Sequence, residues 1–188
     1  SICPHPQNRR FHDWVALIEL LRDAWLAIHR DDVIRARYIV LDWLAQPYPT
    51  FRRLALFAAT CDGVAPHGEW VDWLLANEGW WLWSVQTQRE TMRLLVLRGA
   101  QLPDVQKIRL EAAILDGPPR RPDMTPERWE NLVNHKVWLR LAKFTSGGAH
   151  LGRDAEIRFA GLLADHPTLA LASNEKDEFS HWMSGTGD

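Results

Sequence analysis

A chain of 188 residues is long enough for one domain with a sizeable core. Its 46% hydrophobic and 24% charged residues are ordinary globular usage and exclude global disorder. A formal net charge of −2 excludes a whole-molecule pull toward nucleic acid or anionic membrane.

Phe11, Trp14, Ile18, Leu21, Trp25 and Ile28 recur at steps of three and four, which predicts an amphipathic helix from about Phe11 to His29 with Asn8 as its cap. Leu17, Leu20 and Ala24 widen the apolar face, so neighbours are expected on two of its sides. Asp31 or Asp32 caps a second helix, about Val33 to Ala45, whose expected seam is Val33/Ile34, Arg37/Tyr38, Leu41 and Leu44/Ala45. Pro47 and Pro49 stop it. Short connections imply antiparallel neighbours.

Further helices are predicted at about Phe51 to Thr60, Glu69 to Ala76, Thr87 to Arg98 and Asp104 to Leu115. The stretch from Trp80 to Val85 is expected to be locally extended. Thr125 caps a longer helix with Pro126 in its first position, ending near Gly147-Gly148. The last clear helix, about Arg153 to Ala164, stops before Pro167. Phe179, Trp182 and Met183 then form a short apolar stripe behind Asp177-Glu178, either folding back to cap the stack or docking on another domain or chain. Residues 1–8 and 184–188 are expected to be disordered.

Arg53-Leu54-Ala55-Leu56-Phe57-Ala58-Ala59 echoes Arg93-Leu94-Leu95-Val96-Leu97-Arg98-Gly99 forty positions later, and Trp73-Leu74-Leu75 and Ala113-Ile114-Leu115 share the offset. Arg158-Phe159-Ala160-Gly161-Leu162-Leu163-Ala164 reads as a more diverged third copy. Two helices per forty residues is the pattern of HEAT-like repeats, in which one pair buries its apolar face only by stacking on another. The fold class expected is therefore all-α: stacked antiparallel helix pairs over residues 1–188, a HEAT-like solenoid segment, with an irregular helical bundle as the alternative. The opening Ser1-Ile2-Cys3-Pro4 reads as part of something longer.

Eleven tryptophans need an account. Trp14, Trp25, Trp43, Trp70, Trp73, Trp129 and Trp138 lie on helical stripes and are expected to fill space between helices. Trp80, Trp81 and Trp83 follow Gly79 in a connection, where one indole can enter the core and another face a partner. They are candidate partner-binding residues, alongside Phe179 and Trp182. The basic residues are 18 Arg against 4 Lys, in scattered pairs; Arg120-Arg121, after Gly117-Pro118-Pro119, is the pair expected to be exposed and a further binding candidate.

No phosphate-binding glycine loop, HExxH, GxSxG or cysteine-nucleophile motif occurs. Ser146-Gly147-Gly148 reads as a helix terminator. His135, His150, His166 and His181 are evenly spaced, but spacing alone makes no metal site. The sequence thus predicts no catalytic residue, cofactor or metal, no membrane span, and a cytoplasmic setting given two unpaired cysteines, Cys3 and Cys61.

Pro49-Thr50-Phe51-Arg52-Arg53-Leu54-Ala55-Leu56-Phe57-Ala58-Ala59, with Gly79-Trp80-Trp81-Leu82-Trp83 and Asp177-Glu178-Phe179-Ser180-His181-Trp182, resembles the C-terminal helical regions of large bacterial anti-phage defence proteins of the sirtuin-like or STAND NTPase type. The resemblance implies a sensing or assembly role, with enzymatic domains elsewhere in the parent protein. The function expected is a non-catalytic module binding other domains of its parent or another protein. Nucleic-acid binding through clustered arginines is the alternative.

Overall fold

The computed structural model describes Ile2 and residues 13–173. The expected cap Asn8, the end segment 184–188, residues 1–8 apart from Ile2, and the stripe Phe179, Trp182 and Met183 lie outside the described residues, as does the side chain of Trp14.

The described chain is all-α: α1 (Asp13–Asp31), α2 (Val33–Ala45), α3 (Pro49–Ala58), α4 (Trp70–Trp83), α5 (Gln88–Arg98), α6 (Asp104–Asp116), α7 (Pro126–Ser146) and α8 (Arg153–Asp165). The boundaries follow local chemistry. Asp32 caps α2, its carboxylate accepting from the Arg35 amide at 2.9 Å. Thr125 caps α7 by accepting from the Arg128 amide, with Pro126 in the first turn. At its far end the Gly148 amide donates to the Thr145 carbonyl and the Ala149 amide to that of Phe144, with Gly148 at φ +86°, a Schellman closure. Pro49 does more than follow α2, since it also opens α3. No described helix is long and apolar enough to cross a membrane.

From α3 onward the helices lie in two rows. In one, α3 packs on α5 and α5 on α7; in the other, α4 packs on α6 and α6 on α8. The forty-residue echo therefore corresponds to neighbouring helices of one row. The third copy is not where sequence similarity placed it. Arg158-Phe159 lies on α8, in the second row, whereas the first-row counterpart is Arg140-Leu141-Ala142 of α7. Arg53-Leu54-Ala55, Arg93-Leu94-Leu95 and Arg140-Leu141-Ala142 each carry a fully buried leucine, Leu54 in the cluster shared with α1 and α2, Leu94 and Leu141 in the larger core.

Ion pairs repeat with similar spacing. Arg37 pairs with Glu69 across 32 residues. Arg53 pairs with Glu90 across 37, and Arg109 with Asp72 across 37. Arg98 pairs with Asp62 and donates to the Thr60 carbonyl, 38 residues away. Each pair ties one unit to the next. Exposed pairs contribute little, about 0–1 kcal/mol, but the Glu90 carboxylate is fully buried, so its bidentate Arg53 is its required counter-ion.

Helix α1 packs on α2, and α2 on α3. Trp25 is buried here, its indole N–H donating to the Ala36 carbonyl at 3.0 Å and its ring meeting Trp43. Ile2 is buried in the same cluster. Two expectations fail at this end. The inner face of α2 is Ala36, Val40 and Trp43, one position removed from the expected seam, and Ile34, Tyr38 and Leu41 point outward. Leu17 and Leu20 of α1 are largely exposed among the described residues; Leu17 is 67% exposed and Ile34 70%. Periodicity gives the width of an apolar face but does not say which part has a partner.

Where α7 ends it runs against α5. A side chain at Gly147 would collide with the Val96 backbone carbonyl, whereas one at Gly161 of α8 meets open space. Gly147→Ala should therefore destabilise the fold by about 1–3 kcal/mol, while Gly161→Ala should stabilise it by up to about 1 kcal/mol. Urea unfolding of both variants checks the opposite signs.

Candidate functional site

The site is built on a break in α4. After Leu75 the helix stops: Ala76 is extended at ψ 151°, then Asn77, Glu78 and Gly79 are left-handed at φ 54°, 59° and 75°. Gly79 adopts this freely, but Asn77 and Glu78 carry Cβ atoms there, and left-handed non-glycine residues cost about 1–2 kcal/mol each. Beyond the break one helical turn, Trp80–Trp83, completes α4, and the chain extends only at Ser84. The expected extended Trp80–Val85 stretch is therefore mostly helical; tryptophan-rich composition read as strand, while packing closed the turn.

The turn gives its three indoles different surroundings. Trp80 is 52% exposed. Trp81 is half-buried, with the Arg52 guanidinium 4.9 Å above its ring. Trp83 is buried, with the Arg140 guanidinium 4.0 Å from its ring centre. Tyr48 is exposed and its ring meets Phe51 at 6.4 Å, one residue before Arg52.

Arg140 sets the inner side. It is fully buried; Nε and Nη2 both donate to the Leu82 carbonyl at 3.0 and 2.6 Å, and Nη1 donates to the Lys136 carbonyl at 3.0 Å. Leu82 lies in the last turn of α4, where carbonyls are unpaired and the helix dipole is negative. Burial pushes the Arg140 pKa down to about 9, so it stays charged at neutral pH. Lys136, one turn earlier, is pushed down to about 8 by burial first, then by Arg140 and Arg121.

Arg52 sets the outer side. Its Nη2 donates to the Leu44 carbonyl at 3.2 Å, burial lowers its pKa, and its buried Nε has no acceptor. The Trp81 indole N–H is likewise buried without an acceptor. The Arg52–Trp81 contact thus carries two buried donors without acceptors, beside the exposed Trp80 indole.

The other candidates are not brought to this site. Arg120 and Arg121 are exposed in the loop before α7; Arg121 pairs with Asp123 at 2.8 Å and Arg120 lies over Trp129. Arg121 is held above its usual value, and Asp123 below its own, by their mutual hydrogen bond. Trp70 and Trp138 are buried with Trp25 and Trp43, while Trp73 and Trp129 are half-buried. The His135 ring meets that of Trp138 in a tilted contact, His181 lies outside the described residues, and among the described residues no His, Cys, Asp or Glu cluster could hold a metal. Sequence reasoning missed Arg52 and Arg140; the signal was that each adjoins an apolar row facing the tryptophan stretch.

A small polar recess lies beside the end of α3, lined by Cys61, His67, Arg98 and Gln101. Burial pushes the Cys61 thiol up, against Thr60 and Arg98, and Arg98 is spent on Thr60, Asp62 and Gln101. In comparisons with family models, curated proteins and solved structures the chain finds no match.

Two predictions follow the Arg140 geometry. Arg140→Met leaves the Leu82 carbonyl unpaired and should cost about 1–3 kcal/mol, with a change in the Trp83 share of the near-ultraviolet dichroism but retained helical dichroism. Lys136 binds its proton less tightly folded than unfolded, so it opposes folding below pH ~8 and ceases to do so as pH rises toward ~10.5. Lys136→Met should raise stability at pH 7 by at most about 3 kcal/mol, and the gain should vanish by pH ~10.5 in urea titrations against wild type.

Proposed function

We propose that the chain is a non-catalytic, HEAT-like helical module that mediates protein interaction or assembly, with Trp80 and the adjoining Arg52–Trp81 contact as its recognition point. The observation that carries this reading is the exposed Trp80 on a turn held from beneath by Arg140 and Trp83 and approached through a left-handed break. A large aromatic group presented on a fixed turn is the form of an interface hot spot. Strained backbone beside it is characteristic of binding sites.

The outer face of α1 and α2 supports the assembly side of the proposal. Leu17, Leu20, Ile34 and Tyr38 give that face the composition of an inter-repeat surface, unlike the polar face that terminates a stack. The resemblance to anti-phage defence proteins would make the partner another domain of such a protein or its trigger. Protein is favoured over nucleic acid because Arg37, Arg53, Arg98, Arg109 and Arg121 are held by carboxylates.

The test is differential capture from a lysate of the native host, using the immobilised chain and its Trp80→Ala and Arg120→Ala variants, with and without nuclease. A protein retained by wild type and Arg120→Ala but reduced about tenfold or more by Trp80→Ala is expected, since a hot-spot loss of about 2 kcal/mol is of that order. Equal retention by all three, or retention abolished by nuclease, would overturn the proposal.

A further inference from the structure

Helix α1 has two apolar faces, and among the described residues only one is packed. Trp25 is buried, with Ile18 and Ile28 against the same core cluster. On the outer side Leu17, Leu20, Ala24 and Ala27 are exposed, Leu20 at 66%. Their steps of three, four and three are the spacing of a coiled-coil seam, a stripe that suits one further helix. Asp31, at the next seam position, bounds it.

The seam is uneven, and its unevenness selects the occupant. Leucines fill its first half and alanines its second. A second copy of α1 laid antiparallel, with the twofold axis at the level of Arg22, sets Leu17 against Ala27 and Leu20 against Ala24. Each large side chain then meets a small one, the alternation that lets facing helices close without voids. A parallel pair would stack leucine on leucine and leave gaps at the alanines. Antiparallel helices also bring opposite dipole ends together. Contact from Leu17 to Ala27 covers on the order of 400–500 Å² on each copy, just under the ~1,000 Å² total of a lasting interface, so the pair expected is reversible.

We propose that α1 pairs antiparallel with α1 of a second copy of this chain through Leu17, Leu20, Ala24 and Ala27, giving a weak twofold-symmetric dimer. This pairing rests on the assembly role of the outer α1 face and supplies its partner, and it uses no residue of the Trp80 turn.

Sedimentation of the full 188-residue chain tests it. Wild type is expected to be half dimeric at a concentration between about 10 µM and 1 mM. Leu20→Glu, at an exposed position, should keep its helical dichroism and weaken association at least tenfold. Ile34→Glu on α2, at a similarly exposed position, should leave association unchanged. So should Trp80→Ala, which lets the failure of this pairing and that of the Trp80 site be read separately. A monomer up to about 1 mM, a dimer indifferent to Leu20→Glu, or one lost with Ile34→Glu or Trp80→Ala would overturn the proposal. Direction is read from Leu20→Cys and Ala24→Cys chains in a Cys3→Ser, Cys61→Ser background. Mixed, they should form the disulfide-linked heterodimer severalfold faster than either forms a homodimer. Faster homodimers would overturn the antiparallel pairing.

Discussion

The buried guanidinium of Arg140 joins the two helical rows, reaching from α7 to the last turn of α4 and lying against Trp83. A buried cation costs several kcal/mol to desolvate. The two bonds to Leu82, the bond to Lys136 and the ring of Trp83 return roughly that amount, at about 1.5–3 kcal/mol for each charged hydrogen bond and about 2 kcal/mol for a desolvated cation–π contact. The near cancellation makes Arg140 a poor source of net stability and a strict constraint on geometry. Only one rotation of the Trp80–Trp83 turn gives the cation its acceptor and ring together. Trp80 is outside because Trp83 is held inside.

That constraint accounts for the break in α4. A continuous helix through residues 76–79 would present the four residues after it at a rotation fixed by the Trp70–Leu75 segment. The left-handed Asn77-Glu78-Gly79 run uncouples the two, so Trp70 and Leu74 serve the core while the following turn is oriented by Arg140. The strain at Asn77 and Glu78 is small enough for the burial of Leu82 and Trp83 to offset, at about 1.5–3 kcal/mol per large apolar side chain. Arg52 works from the other side, covering Trp81 while leaving its own Nε and the indole N–H without acceptors.

Local chemistry made much of the fold legible in the sequence. Asp32, Thr125, Pro126 and Gly148 act within one helical turn of themselves, and the boundaries they imply are those observed. What escaped depends on neighbours distant in sequence. Whether Ile34 or Ala36 faces inward is decided by where α3 lies against α2, and the apolar pattern of α2 is wide enough to permit either. Likewise, the similarity of Arg158-Phe159 to Arg93-Leu94 is real as composition, but alternation of rows puts α8 beside α6, so the equivalent of Arg93-Leu94 is Arg140-Leu141. The sequence separates the three indoles by expecting an extended segment, whereas the structure separates them on a helical turn whose Leu82 carbonyl is held by Arg140, 58 residues away.

The arginine bias has a structural use that bears on what the surface can recognise. A guanidinium can grip both oxygens of one carboxylate, as Arg37 does with Glu69 and Arg53 with Glu90, or span a carbonyl and a carboxylate, as Arg98 does with Thr60 and Asp62. Lysine offers no such fork. Arginine is thus used as a connector between successive helix pairs, and each connector neutralises one acid. A phosphate-binding face would need those guanidinium groups turned outward in a row, at the cost of stranding Glu90 as a buried unpaired carboxylate. Holding the helix pairs together and offering arginines to a polyanion are therefore opposed demands here, and the proposed recognition role rests instead on exposed aromatic side chains, Trp80 above all.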